Sequence, residues 1–379
     1  MMLNEKSQKI LDIAIPATIE NILQTLVGFI DTLMISKLGL ISVTAVGISN
    51  NIFAVYLAVI IAVGVGASSL ISRYLGAENV SKAKQTAIQS TFLSIIIGII
   101  FGIVTITFSE QILNIMGAER EVVYKALPYF NIVGGATVFV SMLTVFGSIL
   151  RATGDAKTPM IVNTAVNIIN IVLDYILIFG LGPLPAMGVA GTAIGTVVAR
   201  IIGSMLMLSK IRHTVLSFKF RDMFPRSNYK ALIDLSIPAI LERLIMRLGQ
   251  VVYFGLIVSI GVKTYAAHTI AGNIESFTYM PGYGLTAAAS ILVGNSFGAG
   301  KNKEAYEYGI LSMKIGVLIM SIGALILFFG SPWFATWFTD DSEAIGKIII
   351  ALRIDAFAQI PVAISLICAG ALQGSGDTK

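Results

Sequence analysis

Charge is what this 379-residue sequence has least of: Asp, Glu, Lys and Arg together make up 12% of it. Soluble domains carry about 25%, because a folded surface must be wetted. With 56% apolar residues and a mean hydropathy of +0.85, the chain cannot coat several water-soluble domains, and its solvent is lipid. Disorder and coiled coil are excluded by the same figures. Cysteine is nearly absent too. Cys368 stands alone, which rules out an intramolecular disulfide and a cysteine zinc cluster. The two histidines, His213 and His268, lie too far apart in sequence for a local metal-ligand pair, and no HExxH motif exists. These gaps leave no constellation for an enzyme, a metal centre beyond a bound Na⁺, or a cofactor. The formal charge of +5 suggests nucleic acid only until the positions of the cations are counted.

What is present is long apolar runs. A spanning helix needs roughly 20 mostly apolar residues, and about ten candidates appear, near 12–36, 43–71, 86–108, 122–150, 159–180, 188–209, 231–260, 265–296, 306–330 and 345–373. The amino-terminal segment lacks the compact core and cleavage site of a signal peptide. With that terminus placed in the cytoplasm, sixteen Lys and Arg residues fall on the inner side and five on the outer. That is a positive-inside pattern, which explains the basic excess without nucleic acid. The expectation is a multi-pass, all-α protein of a cell (inner or plasma) membrane, monomeric, with its amino terminus inside.

The sequence also repeats itself. Ile15-Pro16-Ala17-Thr18-Ile19-Glu20 matches Ile237-Pro238-Ala239-Ile240-Leu241-Glu242, and Leu75-Gly76-Ala77 matches Phe297-Gly298-Ala299. Arg151-Ala152-Thr153-Gly154-Asp155-Ala156-Lys157 matches Gln373-Gly374-Ser375-Gly376-Asp377-Thr378-Lys379. Each match has the same offset, 237 − 15 = 222. Six helices before a basic segment return the chain to its starting side, so the second copy has the same orientation, as in transporters built from parallel repeats. The predicted organisation is a first lobe over 1–209, a cytoplasmic linker over 210–230 and a second lobe over 231–379. That second lobe reaches only helix 10 of an expected twelve, so a fragment of a longer chain is expected. Gly64-Val65-Gly66 is expected at a close helix contact, and Asp155 is expected to cap the helix after it.

Polar residues inside these runs mark the working positions, because a membrane-embedded carboxylate is costly. Glu20, Gln24 and Asp31 share one face of the first helix, at spacings of four and eleven. Asn163, Asn167, Asn170 and Asp174 form a stripe along the fifth. A hydrogen-bonded seam between helices explains the asparagines alone; with the acids added, a proton or cation site is the better reading. Two carboxyl groups in a low-dielectric setting suit a proton relay, and with amide and hydroxyl oxygens they equally suit Na⁺. The duplication does not preserve this set: Gln24 corresponds to Met246 and Asp31 to Tyr253, while Glu20 keeps Glu242. The coupling site is therefore expected in the first lobe. Glu242, Met246, Tyr253 and Glu275 are expected to line the cavity from the second. Arg243 and Arg247 read as an ion pair or a snorkelling pair, and Asp355 pairs with Arg353 or faces the cavity.

The segment Phe29-Ile30-Asp31-Thr32-Leu33-Met34, the duplicated Gly-Asp-x-Lys loops and the 222-residue repeat resemble the multidrug and toxic compound extrusion family. The resemblance covers the whole chain, and the duplicated loop is its most specific element. It implies a twelve-helix, two-lobed antiporter that exchanges H⁺ or Na⁺ for bulky, often cationic organic compounds, with no cofactor. It also implies a cation site at Asp31, Asn170, Asp174 and Thr192, the last on resemblance alone. The NorM type instead uses acids that fall here on Met246 and near Val362, a departure that favours the DinF-like branch. A lipid-linked precursor flippase is the rival transport reading. It would need a large cationic cavity, whereas this first lobe is expected to be acidic. A non-transporting scaffold has no need of buried acids.

Overall fold

A computed structural model describes residues 5–181, 185–218 and 229–378. The fold over these residues is all-α. The helices are α1 (Glu5–Ser36), α2 (Leu40–Gly76), α3 (Val80–Ile115), α4 (Arg120–Gly135), α5 (Thr137–Ala152), α6 (Lys157–Phe179), α7 (Val189–Ile211), α8 (Lys230–Ile260), α9 (Val262–Gly298), α10 (Asn302–Ala335) and α11 (Ser342–Ser375). Lys219, Arg221, Asp222, Pro225 and Arg226 of the basic segment between α7 and α8 lie outside the described residues, as does Lys379. Seven helices are long and apolar enough to cross a membrane, and α4 with α5 makes an eighth as one bent span. Outward-facing apolar side chains such as Phe29, Ile103 and Leu318 are more than half exposed, as a lipid-facing surface requires. The protein is a polytopic membrane protein.

The ten expected runs are all helical, with one correction. The run 122–150 is two helices, α4 and α5, bent by 46°. The chain breaks at Ala136 (φ −94°, ψ 17°), directly after Gly134-Gly135. Both glycines press against α3, at Thr105 and Ile106, and Thr137 Oγ1 donates 2.6 Å to the Gly134 carbonyl. Small residues let the backbones touch at the price of a weak point in the helix.

The 222-residue repeat is written into the backbone. The starts of α2, α3 and α4 (40, 80, 120) recur at the starts of α9, α10 and α11 (262, 302, 342). Positive-φ positions recur likewise: Gly39 with Gly261, Glu78 with Gly300, and Gly154 with Gly376. At the last pair the chain leaves a helix with φ near +90° (+89° and +91°), where any residue with a Cβ is strained. Asp155 Oδ1 accepts 2.9 Å from Thr158 N, which is the expected cap of α6. In α4–α5 and α11 the copies diverge: the counterpart of the α4–α5 break, Ala358, lies within an uninterrupted α11.

The two repeats cross each other's boundary. Helix α1 packs chiefly on α9 and α6, and α8 packs chiefly on α2. Gly66 of α2 lies against Ser236 and Leu232 of α8, and Gly284 of α9 against Ala14 and Thr18 of α1. The tightest contact joins the ends of α2 and α9. A Cβ on Gly76 would overlap the Asn295 carbonyl, and a Cβ on Gly298 would overlap the Arg73 carbonyl. These are the same contact twice, since 73 and 76 become 295 and 298 after adding 222. Lys6 adds an ion pair to Glu307 at this end. The remaining expected glycine contact is also present: Gly64 faces Ser148 Oγ.

Gly→Ala in a helix ordinarily stabilises by roughly 0.5–1 kcal/mol. Gly76→Ala and Gly298→Ala are expected to do the reverse, lowering stability by about 1–3 kcal/mol through overpacking against backbone. Gly47→Ala and Gly272→Ala, whose added Cβ meets nothing within 4 Å, should keep the ordinary sign. Thermal unfolding of the four purified variants checks the contrast.

Candidate functional site

Between the repeats lies a cavity of about 720 Å³, within the roughly 300–1,000 Å³ usual for ligand pockets. Its wall takes Glu20, Asn21, Gln24 and Asp31 from α1, Asn50 and Ser68 from α2, Tyr129 from α4, Arg151 from α5, Asn163, Asn167 and Asn170 from α6, and Thr196 and Arg200 from α7. The second repeat supplies Arg243 of α8, Tyr283, Thr286 and Ser290 of α9, and Gln373 of α11. The spacing of the two polar stripes thus translates into one shared surface.

At one end of the cavity α1, α6 and α7 bring the carboxylates together. Asp174 is fully buried, and Asn170 and Thr192 are 7% and 2% exposed. Asn170 Nδ2 donates to Asp174 Oδ1 at 3.1 Å and to Thr196 Oγ1 at 3.3 Å. Gly195 makes room for this carboxylate, because a Cβ there would overlap Asp174 Oδ1. Three oxygens remain buried without a hydrogen-bond partner: Asp31 Oδ1, Asp174 Oδ2 and Thr192 Oγ1. Buried acceptors left unmatched are costly, and those on Asp31 and Asp174, whose charges act on each other, are suited to a proton or a hard cation. Asp31 and Asp174 stand within electrostatic reach of each other. Tyr129 donates 3.1 Å to Asn50 Oδ1 beside them.

Arg200 also faces this pocket, and its field reaches Asp31, Asp174 and Tyr129. The polar stripes do not disclose it, although the criterion that marks Glu20 applies equally to an arginine in the apolar run of α7. It lies four residues after Thr196 and eight after Thr192, on the same face.

Midway along the wall, Glu20 is held by Arg151 Nη1 at 3.1 Å and by Asn163 Nδ2 at 2.7 Å. The symmetry-related contact is Glu242 with Gln373 Nε2, at 3.5 Å and exposed. Both contacts span 131 positions, so the repeat preserves the geometry while replacing the guanidinium by an amide.

Four expected wall residues are not on it. Met246 and Tyr253 are 56% and 52% exposed, and Tyr253 packs edge-on against His268 with ring centroids 5.3 Å apart. The exposed Glu242 turns to Gln373. Glu275 is engaged within the second repeat by Tyr279 and by Gln359 Nε2 at 3.4 Å. Helix periodicity sets which residues share a face but not where that face points, and α8 turns Arg243 to the cavity instead. Arg247 bonds Gln250 at 3.0 Å. Arg353 stacks on Phe328, 5.3 Å from the ring centroid, rather than pairing with Asp355, which lies within side-chain reach of Glu275. The expected acidic cavity is corrected as well: Glu20 and Asp31 share the wall with Arg151, Arg200 and Arg243. Among the described residues no group of three or more His, Cys, Asp or Glu is set to hold a metal ion.

A double-mutant cycle separates the two related contacts. The Glu20–Arg151 pair is mostly shielded, with side chains 15% and 18% exposed, so a coupling energy of about 1–3 kcal/mol is expected. The exposed Glu242–Gln373 pair should couple by less than about 0.5 kcal/mol. Thermal unfolding of the single and double alanine variants measures both.

The MatE family model matches residues 16–176 and 238–379. The probable multidrug resistance protein NorM of Thermotoga maritima is 31% identical over 99% of this chain and 81% of its own length. Among solved structures, an outward-facing multidrug resistance MATE family transporter of the MOP superfamily superposes with a TM-score of 0.91 at 26% identity, over 99% of this chain and 84% of that one. A MOP superfamily transporter from Pyrococcus furiosus, described by a reversed polarity of its binding pocket, gives the same TM-score, identity and coverage. The chain belongs to the MATE family, the multidrug and toxic compound extrusion transporters.

Proposed function

We propose that this transporter is a secondary antiporter that moves organic compounds out of the cell in exchange for H⁺ or Na⁺, with the coupling ion held at Asp31, Asn170, Asp174 and Thr192. The observation that carries this reading is the set of three partnerless buried oxygens on Asp31, Asp174 and Thr192, ordered by the Asn170 amide. With both acids ionised and Arg200 charged, the pocket has a formal charge of −1, which one monovalent ion neutralises. An ion entering there satisfies the orphaned oxygens and draws α1 towards α6 and α7. Towards the second half of α1 Leu26, Phe29 and Leu33 are exposed, and its burial is concentrated between Ser7 and Ala17, with Ile35 buried near its end. The expected lobes, 1–209 and 231–379, then rock about their common crossing, as transporters built from repeats do.

The positive-inside pattern puts the crossing end of α2 and α9 on the cytoplasmic face of the plasma membrane. On that reading the cavity opens outward. The place in the DinF-like branch rests on Met246 and Val362, where the NorM type has acids.

A second reading puts coupling in the second repeat. It is favoured by Gln359, whose side chain is fully buried with Oε1 unpartnered, beside Glu275 and Asp355.

Proteoliposomes with separately imposed H⁺ and Na⁺ gradients decide between them. Asp31→Asn and Asp174→Asn are expected to abolish gradient-driven dye efflux while the variants stay folded and inserted. Glu275→Gln should retain most of it. Undiminished efflux by Asp31→Asn vesicles sinks the first-repeat assignment, and loss confined to Glu275→Gln moves the coupling site to the second.

A further inference from the structure

The cavity wall carries two acids and three arginines, and they are not equally neutralised. Glu20 is spent on Arg151 and Asn163. Asp31 has Arg200 in its field. Arg243 feels the charge of Glu242 but has no ion-pair partner: among the described residues no carboxylate comes within ion-pair distance of it. The acid whose field reaches it is Glu242, the preceding residue of the same helix. Successive helical residues point roughly 100° apart, so they do not face each other, and Glu242 is turned to the Gln373 amide.

The pseudo-symmetry explains how this arises. Position 243 corresponds to Asn21, and position 373 to Arg151, both by the offset of 222. The first repeat keeps its guanidinium on α5, where it reaches Glu20. In the second repeat the α11 position is Gln373, and the guanidinium is displaced to α8, next to its glutamate in sequence but without an ion pair to it. Each repeat has one glutamate and one arginine at these positions, but only the first joins them. The leftover positive charge points into the cavity, close to Tyr283 and on the same wall as Ser290 and Gln373. Five N–H donors in a fixed fork suit a carboxylate or phosphate.

We infer that Arg243 is the recognition group for an acidic substituent, and that the cavity takes organic anions or zwitterions in preference to simple organic cations. This names a substrate class for the proposed exporter and rests on that reading only for transport; binding at Arg243 stands apart from it. The amides of Asn21, Gln24, Asn163 and Asn167 supply neutral donors and acceptors for the rest of such a molecule.

The test uses the full chain in neutral-lipid nanodiscs, with carboxyfluorescein as the anionic probe and ethidium as the cationic one, followed by fluorescence polarisation. The wild type is expected to bind carboxyfluorescein more tightly than ethidium. Arg243→Gln should weaken carboxyfluorescein about tenfold or more, the usual loss for a charge-assisted hydrogen bond, and leave ethidium unchanged or tighter. Arg243→Lys should recover part of the loss. Thermal stability of Arg243→Gln should hold or rise, since an unpaired charge is removed; a fall would identify a structural role. Phosphatidylglycerol added to the discs distinguishes the source of the anion: displaced dye points to a lipid headgroup, and undisturbed dye to a soluble compound. Preferential binding of ethidium by the wild type overturns the inference, as does equal carboxyfluorescein binding by wild type and Arg243→Gln. Intact binding without gradient-driven efflux would instead count against the antiport reading alone.

Discussion

Two glycines hold this architecture together. At Gly76 and Gly298 the ends of α2 and α9 come so close that each backbone lies where the other's side chain would be. In lipid there is no hydrophobic driving force between helices, so close van der Waals packing must supply the association. This contact is made twice by symmetry and fixes the repeats at one end. Helices α1 and α8, each packed on the opposite repeat, reinforce it. Everything polar then falls into the space that the crossing leaves open.

The repeats share a scaffold but divide the chemistry. Backbone geometry is copied closely, down to the glycines that end α5 and α11 with positive φ. Side chains at the cavity are not copied. The first repeat brings Asp31, Asn170 and Asp174 together and neutralises Glu20 with Arg151. The second retains Glu242 but places glutamine opposite it, and faces the cavity with Arg243. A duplicated backbone offers each change two independent positions, so the side chains of the two walls can diverge without disturbing the helix crossing.

Much of this is legible in the sequence. Apolar length marks ten helical runs, because the bilayer sets a minimum span. The spacing 163, 167, 170 put three asparagines on one wall, and the 222 offset located the counterparts of Glu20 and Arg151. The break at Ala136 was hidden, because an apolar run looks the same whether it is one rod or two; only contact with α3 bends it. Arg200 lies in an apolar stretch outside both polar stripes. The 222 offset relates Met246 and Tyr253 to Gln24 and Asp31, yet α8 presents Arg243 to the cavity.

Sequence by itself therefore determined the membrane class, the apolar helical runs, the duplication and the acids of the first repeat that enter the bilayer. These follow from local properties: hydrophobic length, helical period and the cost of burying a carboxylate. Only the tertiary structure decided which charges meet. Arg151 neutralises Glu20 from 131 residues away, whereas Arg243, adjacent to Glu242, feels its charge without forming an ion pair. Electrostatic pairing depends on distance and direction in space, and a helix turns neighbours in sequence away from each other while its packing brings remote residues together.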